Sequence, residues 1–340
     1  MRLQDATEGI GIPQLVKAAT MTLQRCAVTP DEEVVIYTDS GGDASLSEAI
    51  QIASTAMGCD TTVVIGTPRF ALLDPSAAAV EAMKGADIVF DLASATWSDY
   101  ALAAQRICDA GTRILQVMLP ARSFVERPPT DEILSRVERW AAICDAATEM
   151  RVVGPHGTDL TFARGDLPLD LGRGLVDRPG LWDSYGVYSV SFTPAPGSVN
   201  GTLVFDGPMT MLPQYRFVTR EPIVTEVRGG RVVSIREDHR EAKLLARWLE
   251  GFDDDGVYWF SHAGAGVDHR ADLEVVDVNG WESILGAIVF GIGASSNVNL
   301  QGARFAAGHM DGVLLEASLF VDGRPVIEDG RFTADSGVVV

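Results

Sequence analysis

The chain has 340 residues, 46% of them hydrophobic, with 34 Gly and 16 Pro. That content can bury the core of two domains and excludes a disordered or fibrous protein. Lys and Arg number 27 against 47 Asp and Glu, a formal charge of −20, which repels phosphate backbones and argues against a nucleic-acid partner.

No apolar run is long enough for a membrane span. The opening MRLQDATEGIGIPQ lacks a basic segment followed by an apolar one, so a cytoplasmic protein is expected. Apolar β-rich runs at Glu33–Tyr37, Thr61–Ile65, Asp87–Leu92 and Arg113–Met118 follow. They alternate with segments of helical periodicity at Ser45–Met57, Ser76–Lys84, Asp99–Cys108 and Asp131–Glu149. Strand and helix in this alternation predict an α/β domain with a largely parallel sheet over residues 1–149. Residues Thr38–Asp43 (TDSGGD) lie where phosphate loops occur, but the glycine spacing of such loops is absent. A plain turn with a helix cap at Ser45 is the better reading.

Beyond residue 150 short β-type runs separated by Gly, Asp and Pro take over, at Arg151–Gly154, Leu160–Arg164, Gly201–Phe205 and Glu226–Arg236. Gly229-Gly230 and Asp322-Gly323 each sit between two β-prone runs, a hairpin signal. One helix, near Arg240–Leu249, interrupts a domain that reads as β-rich α+β over residues 150–340. The four cysteines, Cys26, Cys59, Cys108 and Cys144, have no CxxC spacing and read as buried thiols.

Five histidines make a short inventory: His156, His239, His262, His269 and His309. His309 and Asp311 are two residues apart, so on a strand they project from the same side. His262 stands in FSHAGAG, after an aromatic run and before small residues that let a backbone pass closely. Two histidines and a carboxylate on one face form the facial triad of mononuclear iron(II) oxygenases. Any one histidine is more often a hydrogen-bonded core or surface group than a ligand. His239 and His269 read as exposed, and His156 as part of a turn.

The segments FSHAGAGVDHRADLEVVD, GAIVFGIGASSNVNLQG and AAGHMDGVLLEASLFVDGRPVIEDG resemble the C-terminal half of the 2,5-dihydroxypyridine 5,6-dioxygenases. These are iron enzymes related in fold to the aminopeptidase T metallopeptidases. DRPGLWDSY, SVNGTLVFDGPM, GADIVFDLAS and AGTRILQVMLP resemble matching upstream stretches. The likeness thus covers most of the chain. It implies one Fe(II) held by His262, His309 and Asp311, and a homo-oligomer. The peptidase relatives need extra glutamates for a metal pair. One falls at His262, and another falls within Tyr188–Phe192, where no carboxylate is available. A hydrolase of that kind is the alternative reading, and a non-catalytic member of the fold is a third.

The resemblance also implies a serine beside the iron, in Phe-Ser-x-Gly, where this chain reads Phe290-Gly291-Ile292-Gly293. Ser295 or Ser296 could serve instead. Pocket histidines implied by the family are replaced by the stretches Thr96-Trp97-Ser98 and Trp182-Asp183-Ser184-Tyr185. The expected chemistry is extradiol-type cleavage of a hydroxylated N-heteroaromatic ring by O₂. Asp183 and Tyr185 are the candidates for proton transfer, and Trp97, Trp182 and Ser295 for contact with the substrate.

Overall fold

The computed structural model describes residues 10–69, 72–212, 214–274, 278–296 and 305–339. The chain groups into two compact units. One holds the residues up to Thr130 together with Gly172–Val187, the other Asp131–Leu171 together with Tyr188 onward.

In the first unit five parallel strands run in the order Asp60–Gly66, Glu33–Asp39, Ile88–Asp91, Arg113–Gln116 and Trp182–Ser184. Ile88–Asp91 and Arg113–Gln116 are buried at every position, as parallel strands covered on both faces require. The helix Ala44–Met57 begins at Asp43, whose carboxylate accepts from the Ser45 and Leu46 amides at 2.8 and 3.2 Å. The cap is therefore Asp43 rather than Ser45: the turn ends two residues earlier, and a carboxylate suits the positive end of a helix. A helix at Ile12–Arg25 also precedes the first strand.

The second unit contains two antiparallel sheets. Eight strands form the first, in which the hairpin Ile223–Arg228/Arg231–Ile235 turns at Gly229-Gly230 as expected. Seven form the other, with Pro208–Leu212, His309–Leu314, Ile288–Gly293 and Phe260–Gly266 side by side at its centre. One face of the seven-stranded sheet supplies Phe290, Ile292, Met310, Met209 and Ala263 to a core shared with Met150, Leu160, Phe162, Leu203 and Phe205 of the eight-stranded sheet. Phe162 meets Phe290 edge-on at 5.8 Å between centroids. Because side chains alternate, Val289, Gly291, Gly293, His309, Asp311 and Val313 project from the opposite face.

This partition differs from a single boundary at 149/150. Strand Trp182–Ser184 returns to pair with Arg113–Gln116. The helix Asp131–Ala146 turns Ile133, Val137, Trp140 and Cys144 into the core of the second unit. Among the described residues no helix is long and apolar enough to cross a membrane.

Candidate metal centre

His309 and Asp311 lie two residues apart on one strand, and Asp311 is directly paired with Gly291, which is paired in turn with His262. The site is therefore one row across three adjacent strands. A bulge between Phe260 and His262 inserts Ser261 as an extra residue, and such bulges re-aim the side chain that follows. The ligand atoms of His262, His309 and Asp311 all lie within 4.8 Å of one another, the one such group of three among the described residues. The two imidazoles are nearly parallel, at 20° and 5.6 Å between centroids.

His309 is 1% exposed, and its Nδ1 lies 2.6 Å from the Ala294 carbonyl oxygen. A carbonyl can only accept, so Nδ1 carries the proton and Nε2 is the nitrogen turned to the site. Nε2 is 2.8 Å from Asp311 Oδ2. His262 Nδ1 faces Ser261 Oγ at 3.3 Å, while its Nε2 is 3.2 Å from Asp311 Oδ1. That last contact lacks hydrogen-bond alignment, so Oδ1 is a buried carboxylate oxygen without a hydrogen-bond partner. Buried oxygens of this kind are normally satisfied. Burial by itself raises the Asp311 carboxyl, but the charge of His309 and the contacts from both imidazoles outweigh it and hold the group below the ordinary aspartate range. Two imidazole nitrogens and an ionised carboxylate converging on one point fit a first-row divalent ion.

Ser295 and Ser296 follow the Ala294 carbonyl. Both are buried, at 2% and 7% exposure, and neither hydroxyl has a hydrogen-bond partner. The remaining expected site residues belong to the first unit. Trp97 donates its indole N–H to Asp91 at 3.0 Å and meets Tyr37 edge-on. Trp182 is buried with its indole N–H unpartnered. The Asp183 carboxylate accepts from the backbone amides of Arg173, Leu175 and Ser184 at 3.0, 3.2 and 2.7 Å. The Tyr185 hydroxyl donates to the Phe124 carbonyl at 2.9 Å. These contacts of Asp183 and Tyr185 hold main chain in place, and they do not support the acid–base role expected of the pair.

Sequence reasoning missed a polar chain at the carboxyl ends of the parallel strands. Ser184 donates to Gln116 at 3.1 Å, Gln116 to Ser98 at 3.0 Å, and Ser98 to Asp91 at 2.6 Å. Burial pushes Asp91 up to about 6, against the lowering effect of its bonds from Ser98, Ala93 and Trp97. Its signal was a carboxylate ending an apolar strand, in IVFD. Of the other histidines, His239 departs from expectation: it is half-buried beside the Pro222 carbonyl at 3.2 Å. All four cysteines are buried and free, and burial raises Cys26 and Cys108 to about 12.

The sequence profile of the NicX 2,5-dihydroxypyridine 5,6-dioxygenase family matches residues 14–334. The chain belongs to this family. It is 28% identical over 288 residues to the 2,5-dihydroxypyridine 5,6-dioxygenase of Pseudomonas putida, covering 82% of this chain and 79% of that protein. The solved 2,5-dihydroxypyridine dioxygenase of Pseudomonas putida KT2440 shares the fold, with a TM-score of 0.85 and 23% identity over 96% of this chain and 98% of that one. AmpT of Thermus thermophilus follows at a TM-score of 0.64 and 16% identity, over 94% of this chain and 99% of its own. The fold is thus one that this dioxygenase family shares with the aminopeptidase T scaffold, and on it this chain brings together a compact His-His-Asp cluster.

Proposed function

We propose that the protein is a ring-cleaving dioxygenase of the extradiol type that uses one Fe(II) at His262, His309 and Asp311. Its substrate in this reading is 2,5-dihydroxypyridine or a closely related hydroxylated N-heteroaromatic ring. The observation that carries the reading is the ligand geometry: three donors converge on one face, and among the described residues no further carboxylate joins them to bridge a second ion. That favours the mononuclear reading over a metallo-aminopeptidase-like hydrolase, which needs a bridged pair. Fe(II) held by His262, His309 and Asp311 would supply Lewis-acid and redox chemistry toward a ring oxygen and O₂. For the pyridinediol both oxygen atoms of O₂ enter the product, an N-formyl amide acid, and the ring opens with no other co-reactant.

The protein's own groups have definite parts in this reading. The Ala294 carbonyl keeps the proton of His309 on Nδ1, so Nε2 is available to the metal. The Asp311 carboxylate, itself buried, places a negative charge opposite the cation. Ser295, buried with an unpartnered hydroxyl, is the polar contact we assign to the substrate or to a water beside the metal.

The test is metal content per chain on protein purified without air, coupled to O₂ uptake with 2,5-dihydroxypyridine and related ring diols. One iron per chain with O₂ consumed in step with loss of ring absorbance is the expected result. Two metal ions per chain with peptide hydrolysis and no O₂ uptake would replace the reading with the hydrolase.

A further inference from the structure

His262 and the strand of His309 and Asp311 are not neighbours in the sheet, because Ile288–Gly293 runs between them. Strands two apart are separated by about 10 Å, yet the imidazole centroids are 5.6 Å apart. The rings can approach only by leaning over the intervening strand. The residue they lean over is Gly291, paired with His262 on one side and with Asp311 on the other.

A Cβ at position 291 would lie inside the van der Waals envelopes of His262 Cε1 and Nδ1 and 2.7 Å from Ser261 Oγ. Gly291 is not among the glycines with positive φ, so its backbone is one that any residue adopts. The imidazole, and not the main chain, is what demands glycine there. Ser261 completes the arrangement. It is the inserted residue of the bulge, it is fully buried, and its Oγ faces His262 Nδ1 at 3.3 Å. A proton held on Nδ1 against that hydroxyl leaves Nε2 facing Asp311. Partners of this kind fix the orientation of a ligating imidazole.

We infer that Gly291 and Ser261 are positioning residues for His262, Gly291 by leaving room for its ring and Ser261 by holding its Nδ1. In this chain a serine at 291 would put its Cβ into the space that the His262 ring and the Ser261 hydroxyl occupy. The inference rests on the triad being the metal site, and the experiment separates the two.

Gly291→Ala and Gly291→Ser are made in the wild-type chain and in a His262→Ala background, with Ser261→Ala as a separate variant. Fe(II) binding is titrated without air, and thermal unfolding is followed on the metal-free proteins. Wild type binds one Fe(II), and both position-291 variants bind it about 10- to 100-fold more weakly. Ser261→Ala loses less affinity. Metal-free Gly291→Ala unfolds at a lower temperature than wild type. In the His262→Ala background the same alanine costs clearly less, because the ring is gone and only the Ser261 hydroxyl has to shift, a coupling that a double-mutant cycle reads directly. If Gly291→Ala alone does not fold, recovery of folding in the double variant supports the same conclusion. Fe(II) binding by Gly291→Ser as tight as in wild type would overturn the inference, as would equal destabilisation by alanine in both backgrounds. Absence of metal binding in wild type would remove the metal reading, while the unfolding cycle would still decide whether position 291 acts through His262.

Discussion

Replacing Asp311 with alanine separates metal binding from folding, and the structure sets the size of both effects. The carboxylate is 4% exposed and sits 2.8 Å from His309 Nε2 and 3.2 Å from His262 Nε2. His309 Nδ1 faces the Ala294 carbonyl and its Nε2 faces the Asp311 carboxylate. Breaking a buried pair by removing one partner costs about 3–5 kcal/mol. Here the groups left behind are imidazoles, which need no counter-charge when neutral, so the expected loss lies at or below the lower end of that range. Metal binding contributes separately. At a metal concentration of about 100 times Kd, one site stabilises the folded state by about 2.7 kcal/mol. At roughly 2–4 °C per kcal/mol that is an upward shift of about 5–10 °C. Asp311→Ala should abolish this shift, the bound iron and the O₂ uptake together while the chain stays folded. Differential scanning calorimetry with and without Fe(II), in the absence of air, reads the first two. The sign with pH follows as well. The Asp311 carboxyl is held below its unfolded value, so its stabilisation is fully present above the ordinary aspartate range. It is lost as pH falls through the depressed value, and the alanine variant lacks that acid-side loss. One iron per chain and an undiminished thermal shift in Asp311→Ala would refute the ligand assignment.

Asp91 gives the opposite pH dependence. Its folded value near 6 lies above the ordinary 3.8, so the folded chain holds the proton more tightly. Stability then falls by something on the order of 3 kcal/mol as pH rises across that interval. Asp91→Asn should flatten the urea midpoint between pH 4 and 6, and an unchanged slope would place the titration elsewhere. Tyr185→Phe leaves the buried Phe124 carbonyl without its donor and should cost about 1–3 kcal/mol with kcat retained. A collapse of kcat at unchanged stability would return Tyr185 to the chemistry. Phe290→Ala opens the centre of the shared core and should cost about 3–5 kcal/mol, read from the same urea titration. A loss below 1 kcal/mol would contradict the packing of Phe290 against Phe162 and Phe260.

Much of this protein was legible locally. The alternation of apolar and Ala-rich segments over residues 33–146 placed four parallel strands and their helices, since helical and strand periodicities differ within a few residues. Gly229-Gly230 and Asp322-Gly323 marked their hairpins because those turns need backbone conformations that few residues adopt. His309 and Asp311 were readable as a pair, because two residues apart on a strand means one face. His262 was a candidate partner from its FSHAGAG context, and the family resemblance strengthened the grouping, since no spacing within the chain links positions 262 and 309.

Tertiary structure decided the rest. Trp182–Ser184 pairs with a strand some 70 residues upstream, so three residues that look like part of the second half complete the first sheet. Asp183 and Tyr185 read as reactive groups in the sequence, yet the backbone amides and the carbonyl that occupy them come from other segments. Asp91 looked like a strand end until burial and three donors made it a titrating group. Gly291 looked like a lost serine, and the register shows it instead as the gap that His262 fills. Periodicity reports which face a residue takes, because that is fixed by the backbone beside it. Which strand lies next door, and what its side chains leave room for, is fixed by pairing across distant segments, and no local pattern encodes it.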